Sequence, residues 1–266
     1  MTHDTLATRT GEATSPDGTT IAWTSQGRGP ALVVVNCVLV SRRTTMQPTL
    51  PRALAEYFTV VTYDRRGKGD SGNVGPYALE REIEDLEAVI AAAGGEADVY
   101  GFSSGGTLAL LAAASQSASA SAGAIRRVAV LEPPLFAGSD RSHHDAVARL
   151  LATDPLAAQV YFTQEVVGVP AEVVAQMPPL GDEDRRALPT LLHELSFLPG
   201  TPPERFAAAT APTLVMVSDH TDPRMGEFAA QLADAMPDCR VATLPGQWHG
   251  VDDATLTAAM VEFLQP

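Results

Sequence analysis

The sequence contains few cysteines and few positive charges. Its 266 residues include two cysteines, Cys37 and Cys239, which are too few for a disulfide framework and lie in no spacing typical of a zinc site. Lys and Arg together number 18 against 32 Asp and Glu, so the formal net charge is −14. An acidic chain without a basic patch is repelled by nucleic acid and by anionic lipid headgroups. We therefore expect neither as a partner.

Long hydrophobic runs are also absent. No stretch reaches the roughly 18 apolar residues that a membrane-spanning helix requires, and the first residues lack the basic start and apolar core of a signal peptide. We therefore expect a cytoplasmic protein. The composition, 45% hydrophobic and 19% charged, is typical of soluble globular proteins. A chain of this length can also bury a large core.

Short apolar runs alternate with helical patterns along the chain. The runs are typical of strands that are buried on both faces, as in parallel sheets. The longest helical pattern, 77–93, has one apolar stripe and stops at Gly94 and Gly95. Because the two kinds of segment alternate, we predict an α/β fold with a doubly wound, mostly parallel sheet. The predicted strands are 31–35, 60–63, 98–102, 127–131, 213–218 and 240–244, and the other predicted helices are 104–114, 227–236 and 254–264.

The pattern changes between residues 137 and 210. No strand-like run occurs there, Pro-Pro pairs stand at 178–179 and 202–203, and short apolar helical patterns fill the remainder. We therefore predict a helical insertion at 137–210 in a core that comprises 1–136 and 211–266.

One predicted turn between a strand and a helix carries the strongest chemical signal. Residues 101–105 read Gly-Phe-Ser-Ser-Gly, which follows the predicted strand 98–102 and opens the predicted helix 104–114. A nucleophile on such a tight turn needs small neighbours so that the strand and the helix can pass close to it. We predict that Ser103 is a nucleophile. The alternative is a glycine-rich packing turn whose serine has no catalytic role.

A serine nucleophile needs a base within hydrogen-bond reach. Of the six histidines, His249 lies in a glycine-flanked turn, 245–250, between the predicted last strand and the last helix. The other five lie in the N-terminal tail, in the insertion or in an acidic loop. Because a loop at that position reaches the carboxyl edge of the sheet, we predict that His249 is the base.

The base in turn needs a carboxylate to orient its ring, and three residues are candidates. Asp219 and Asp222 lie in the loop after the predicted strand 213–218, whereas Glu132 follows the predicted strand 127–131. The chain order Ser103, Asp222, His249 is the usual one for this kind of elbow and favours Asp222. Glu132 and Asp219 remain alternatives, and each of the three can instead be a helix cap or a solvated loop acid.

Attack on a carbonyl creates an oxyanion, which backbone N–H groups can stabilise. One expected donor is the amide of Ser104, directly after the nucleophile. The other is expected from the loop 36–38 after the predicted strand 31–35, where we favour the amide of Val38. Cys37, in the same loop, is more typical of a small core residue than of a nucleophile.

These features resemble the α/β-hydrolase superfamily, and specifically its serine hydrolases. The resemblance rests on the elbow at 101–105, on a loop at 63–72 similar to the superfamily's D-x-R-G-x-G-x-S pattern, and on the late Gly-x-x-His that ends at His249. It implies that 137–210 forms a cap over the pocket. The sequence departs from the pattern in two places. Asn36 and Cys37 replace the His-Gly of many members, and the loop around Asp222 is one residue longer than is common.

The resemblance implies a serine hydrolase that cleaves a carboxylic ester, thioester or lactone of a small to medium hydrophobic substrate through an acyl-enzyme. Two alternatives are a biosynthetic tailoring enzyme with lyase, cyclase or perhydrolase activity and a ligand-binding scaffold without catalysis. We expect a small-molecule substrate, no cofactor and no metal ion. The sequence does not specify the oligomeric state.

Overall fold

The computed structural model describes residues 7–117, 124–136, 138 and 140–265. Within these ranges nine strands form one sheet. The strands are β1 (Arg9–Thr14), β2 (Thr20–Gly27), β3 (Ala31–Val35), β4 (Thr59–Tyr63), β5 (Ala97–Phe102), β6 (Ile125–Leu131), β7 (Thr213–His220), β8 (Cys239–Gln247) and β9 (Gly250–Val251).

Helices occupy most of the segments between the strands. None of the helices in the described ranges combines the length and the apolar character that a membrane span needs. Short 3-10 helices lie at Leu188–Thr190 and Pro203–Phe206, and Phe162–Val167 is π-helical. The α-helices are α1 (Leu50–Leu54), α2 (Leu79–Ala92), α3 (Ser104–Ser117), α4 (Ser142–Thr153), α5 (Pro155–Tyr161), α6 (Ala171–Val174), α7 (Asp182–Ala187), α8 (Leu191–Phe197), α9 (Pro223–Ala235) and α10 (Asp253–Leu264).

The sheet is mostly parallel, and the predicted fold class is confirmed. Its strand order is β1-β2-β4-β3-β5-β6-β7-β8-β9. The six strands from β4 to β8 in this order pair in parallel, whereas β1, β2 and β9 add antiparallel pairings at the two edges. Because β5, β6, β7 and β8 are neighbours, the loops that follow them leave the same edge of the sheet side by side. This edge carries the residues discussed below.

Hydrophobic layers cover both faces of the sheet, as a doubly wound sheet requires. Successive residues of β3 alternate between them: Val33 and Val35 pack in one layer, Leu32 and Val34 in the other. Helices α2 and α3 cover the first face, and α1 and α10 cover the second. The central strands are therefore apolar on both faces, which explains their continuous Val-rich sequences.

The helices from α4 to α8 lie in the segment that the sequence marks as an insertion. They have a separate hydrophobic cluster, against which Val38 and Leu39 of the loop after β3 also pack. Its buried members are Val147, Ala158, Phe162, Leu188, Leu191 and Leu195. The division into a core and a cap stays a prediction, and its first cap residue, Ala137, lies outside the described residues.

Helix α3 begins unusually close to the carboxyl end of β3, and this approach depends on Gly105. A Cβ atom on Gly105 would lie 2.2 Å from the carbonyl oxygen of Val35, whereas one on Gly226 in α9 would meet no atom within 4 Å. We expect Gly105→Ala to lower the free energy of unfolding by about 1–3 kcal/mol, because backbone must move to admit the methyl group. The control Gly226→Ala should leave it unchanged or raise it by up to about 1 kcal/mol. Urea denaturation measures both, and equal stabilities would contradict the close approach.

Candidate active site

Ser103 lies at the sharp turn between β5 and α3. Its φ is 51°, in the left-handed region that residues other than glycine rarely adopt. The flanking glycines make this turn possible. A Cβ on Gly101 would lie 2.6 Å from the Cα of Gly106, and one on Gly105 would collide with the end of β3. The predicted elbow geometry at Ser103 therefore follows from the small residues around it.

Glu132 follows β6 directly and is fully buried. Its Oε2 atom accepts hydrogen bonds from Nδ1 and from the backbone N–H of His249, both at 2.7 Å. Its Oε1 atom accepts bonds from the hydroxyl of Ser218 at 2.6 Å and from the Ser218 N–H at 3.0 Å. Burial alone raises the pKa of Glu132, but the hydrogen bonds from His249 and Ser218 outweigh it and lower the pKa to about 2. Glu132 is therefore ionised at neutral pH.

His249 lies in the turn between β8 and β9 and is oriented by this carboxylate. Because an ionised carboxylate only accepts hydrogen bonds, Nδ1 of His249 carries the proton and Nε2 is left as an acceptor in the neutral ring. The ring stacks on Trp248 with centroids 4.6 Å apart and meets the edge of Phe102 at 4.9 Å. These contacts fix the plane of the imidazole.

Ser103 and His249 line the same cavity. This cavity, which we call the serine cavity, has a volume of about 60 Å³ and is also lined by Val38, Ser104 and Glu132. The rest of its wall is largely apolar and comes from α9, from the π-helical segment Phe162–Val167 and from the loops after β6 and β8. These wall residues are Pro134, Phe136, Phe162, Val166, Val167, Arg224, Met225, Phe228 and Trp248.

The serine cavity adjoins a second cavity of about 460 Å³, since the two share Phe136, Val166, Arg224 and Phe228 as wall residues. The larger cavity extends between α8 and the loop after β6 and is also lined by Leu195 and Leu198. The two cavities are therefore neighbours, and the larger one is lined by apolar residues together with Asp140, His143 and Glu165.

Asp222 does not contact His249. The prediction that Asp222 orients the imidazole is therefore wrong. Asp222 instead caps helix α9: it accepts the N–H of Arg224 at 2.9 Å and pairs with the Arg224 guanidinium at 2.6 Å. The reason lies in strand lengths. Leu131, the last residue of β6, pairs with Met216, so Glu132 lies directly beyond the end of its strand. Strand β7 continues past Met216 to His220, which places Asp222 farther along.

Asp219 does not contact His249 either. Its carboxylate accepts the N–H of Gly246 at 2.9 Å and pairs with Nδ1 of His220 at 2.8 Å on the exposed surface. The alternative Glu132 is thus the carboxylate of the three that the structure brings to His249. Ser218, which holds the second oxygen of Glu132, was not identified from the sequence, because a serine at the end of a strand gives no specific signal.

The two predicted amide donors, of Val38 and Ser104, both belong to residues that line the serine cavity. Ser104 is the first residue of α3, where the helix dipole favours negative charge. Val38 is the first residue of a three-residue turn in which the N–H of Val40 donates to the carbonyl of Val38 at 2.8 Å, with Leu39 at a φ of 62°. Both N–H groups are without an acceptor among the described residues.

Cys37 is buried beside this turn and does not line the serine cavity. Burial raises the pKa of its thiol to about 11, so that the thiolate is not populated at neutral pH. Cys37 is thus a core residue, as the sequence favours. Within the described ranges, no group of three or more His, Cys, Asp or Glu side chains is placed to hold a metal ion.

Comparisons with known proteins identify a family and a shared fold. The model of the alpha/beta hydrolase family matches residues 32–260. An alpha/beta hydrolase from Sphaerobacter thermophilus is 40% identical, with 96% of this chain and 100% of that chain covered and a TM-score of 0.85. An esterase from Thermogutta terrifontis (18% identity, coverage 97% and 98%, TM-score 0.73) and an enol-lactonase from Burkholderia xenovorans (21%, coverage 96% and 100%, TM-score 0.71) share the fold. No curated protein sequence matches the chain.

The pKa of Glu132 makes folding depend on pH. Its folded value of about 2 lies below the ordinary 4.5, so its stabilisation is present above pH 4.5 and is lost as the pH falls toward 2. We expect the difference in unfolding free energy between the wild type and Glu132→Gln to shrink by about 2 kcal/mol between about pH 5 and about pH 3. Subtraction of the variant removes the titration of other carboxylates. A constant difference would contradict a buried, ionised Glu132.

Proposed function

Because the chain belongs to the alpha/beta hydrolase family, we propose that it hydrolyses a carboxylic ester, thioester or lactone through an acyl-enzyme formed on Ser103. The observation that carries the proposal is the shared cavity: Ser103, on a strained elbow, lines it together with His249, whose ring is held by the ionised Glu132. A serine, a histidine with a free Nε2 and a carboxylate on Nδ1 are the groups that nucleophilic acyl transfer needs.

In the first half of the reaction, Nε2 of His249 accepts the proton of the Ser103 hydroxyl while the serine oxygen attacks the substrate carbonyl. The imidazolium that forms lies 2.7 Å from the Glu132 carboxylate, which stabilises its charge without taking the proton. The negative charge on the former carbonyl oxygen is stabilised by the amides of Ser104 and Val38, each worth about 3–4 kcal/mol in comparable sites.

The attack gives a tetrahedral intermediate. Its collapse breaks the bond to the leaving group, which accepts from His249 the proton that came from Ser103. The product is an acyl-enzyme on Ser103. Water then gives a proton to His249 and attacks the acyl carbonyl, and the same two amides stabilise the second oxyanion. The second collapse releases the acid and returns the proton to Ser103.

We propose a small to medium, mostly hydrophobic substrate. Support comes from the largely apolar wall of the serine cavity. The larger cavity beside it is of mixed character, since Asp140, His143 and Glu165 line it together with apolar residues. Arg224 also lies on the wall, but its charge is balanced by Asp222 at 2.6 Å. The structures that share the fold include an esterase and an enol-lactonase, which is consistent with cleavage of an ester or a lactone here.

Ser103→Ala tests this function directly. We expect it to remove turnover of a p-nitrophenyl ester and covalent labelling by a fluorophosphonate probe, because the hydroxyl of the adjacent Ser104 is buried in the first turn of α3 and cannot replace that of Ser103. Ser196→Ala is the control, since Ser196 is exposed on α8 and bonds only to the carbonyl of Leu192. Undiminished labelling of Ser103→Ala would refute the nucleophile. A wild-type protein that is neither labelled nor active on any ester, thioester or lactone would refute the function.

A further inference from the structure

Four charged side chains form a cluster beneath the loop that contains Val38, and we call it the buried ion cluster. Its members are Arg65, Lys68, Glu82 and Glu194, each at most 2% exposed. Arg65 donates to both carboxylate oxygens of Glu82 at 2.7 and 2.8 Å and to Oε1 of Glu194 at 2.8 Å. Lys68 donates to the same Glu194 oxygen at 3.1 Å. The two carboxylates compensate the two basic groups, and burial together with the charge of Arg65 lowers the pKa of Lys68.

The buried ion cluster also bonds to the backbone of the loop after β3. Nζ of Lys68 donates to the carbonyl oxygen of Cys37 at 3.0 Å, and Arg65 lies 3.4 Å from the carbonyl oxygen of Asn36. The carbonyl of Cys37 and the N–H of Val38 belong to one peptide group. Because this group is planar and trans, its C=O and N–H point in opposite directions. Holding the carbonyl therefore determines the direction of the Val38 N–H.

The other side of Val38 is fixed as well. The next peptide is held by the hydrogen bond from the N–H of Val40 to the carbonyl of Val38, with Leu39 in the left-handed region. This turn cannot by itself orient the Cys37–Val38 peptide, because the φ and ψ bonds of Val38 can still rotate between that peptide and the turn. Lys68 supplies the missing constraint.

We propose that Lys68 is a positioning residue for the oxyanion site: it holds the Cys37–Val38 peptide so that the Val38 N–H faces the serine cavity. The proposal rests on the proposed function. A hydrogen bond at the carbonyl also polarises the peptide and makes its N–H a stronger donor. Glu194, on helix α8 of the predicted cap, holds Lys68 in turn. The predicted cap thereby takes part in the catalytic geometry through a buried ion pair and not only through the pocket wall.

Arg66 provides a matched control for a purely structural role. It is as deeply buried as Lys68 and pairs with Asp85 at 2.7 Å and with Asp17 at 3.0 Å, but it makes no hydrogen bond to the loop after β3. Arg66→Met and Lys68→Met each remove a buried basic group and leave a buried carboxylate without that partner, so both should lower the melting temperature. Only Lys68→Met should change the orientation of the Cys37–Val38 peptide.

Two readouts separate positioning from stability. In ¹³C,¹⁵N-labelled protein, we expect Lys68→Met to shift the carbonyl ¹³C resonance of Cys37 and the ¹⁵N resonance of Val38, and Arg66→Met to leave both in place. We also expect kcat for an ester to fall about 10- to 100-fold in Lys68→Met with little change in KM, because the oxyanion develops in the transition state and the tetrahedral intermediate and is absent from the bound substrate. Lys68→Gln, which keeps an N–H donor, should retain more of kcat and serves if Lys68→Met does not fold.

Unchanged Cys37 and Val38 resonances in the Lys68 variants would overturn the proposal, whatever the activity. A kcat loss in Lys68→Met equal to that in Arg66→Met would overturn it as well. If the wild type cleaves no ester and is not labelled by the fluorophosphonate, the proposed function fails. The resonances still decide separately whether Lys68 holds this peptide.

Discussion

The hydrogen bond between Glu132 and His249 is the interaction on which the candidate site depends. A carboxylate that is buried at the end of β6 is costly unless its oxygens are satisfied, and four donors from His249 and Ser218 satisfy them. These donors come from the loop after β8 and from β7. The carboxylate therefore ties three neighbouring strand ends together and sets the proton on Nδ1 of the imidazole.

Backbone strain marks the same place. Among the described residues, the non-glycine positions with positive φ are Leu39, Ser103, Glu132 and His249. Each costs about 1–3 kcal/mol, so the surrounding structure must hold it. The holding contacts are close packing of α3 against β3 for Ser103, buried hydrogen bonds for Glu132 and His249, and the Val38–Val40 turn for Leu39. Backbone strain is therefore concentrated in the turns that follow β3, β5, β6 and β8, which orient the residues of the candidate site.

The elements whose conformation is determined by neighbouring residues in the sequence could be predicted. Strand 31–35 and the elbow at Ser103 follow from Val-rich runs and small residues. The polar strands β1 and β2 could not, because they gain their pairing only from the sheet edge. Glu132 could not be ranked above Asp222, since the choice depends on how far β7 extends beyond β6. The link from Lys68 to Glu194 joins residues 126 positions apart and leaves no local pattern.

The most direct test of the account compares kcat of Glu132→Gln and Asp222→Asn on the same ester. If Glu132 orients His249, its amide variant should lose about 10²- to 10⁴-fold in kcat, because the ring is then held in the wrong tautomer and its positive charge is uncompensated. Asp222→Asn should retain far more of kcat, since it alters the cap of α9 and the ion pair with the cavity-wall residue Arg224 but no contact of His249. The reverse result, an active Glu132→Gln and an inactive Asp222→Asn, would contradict the account.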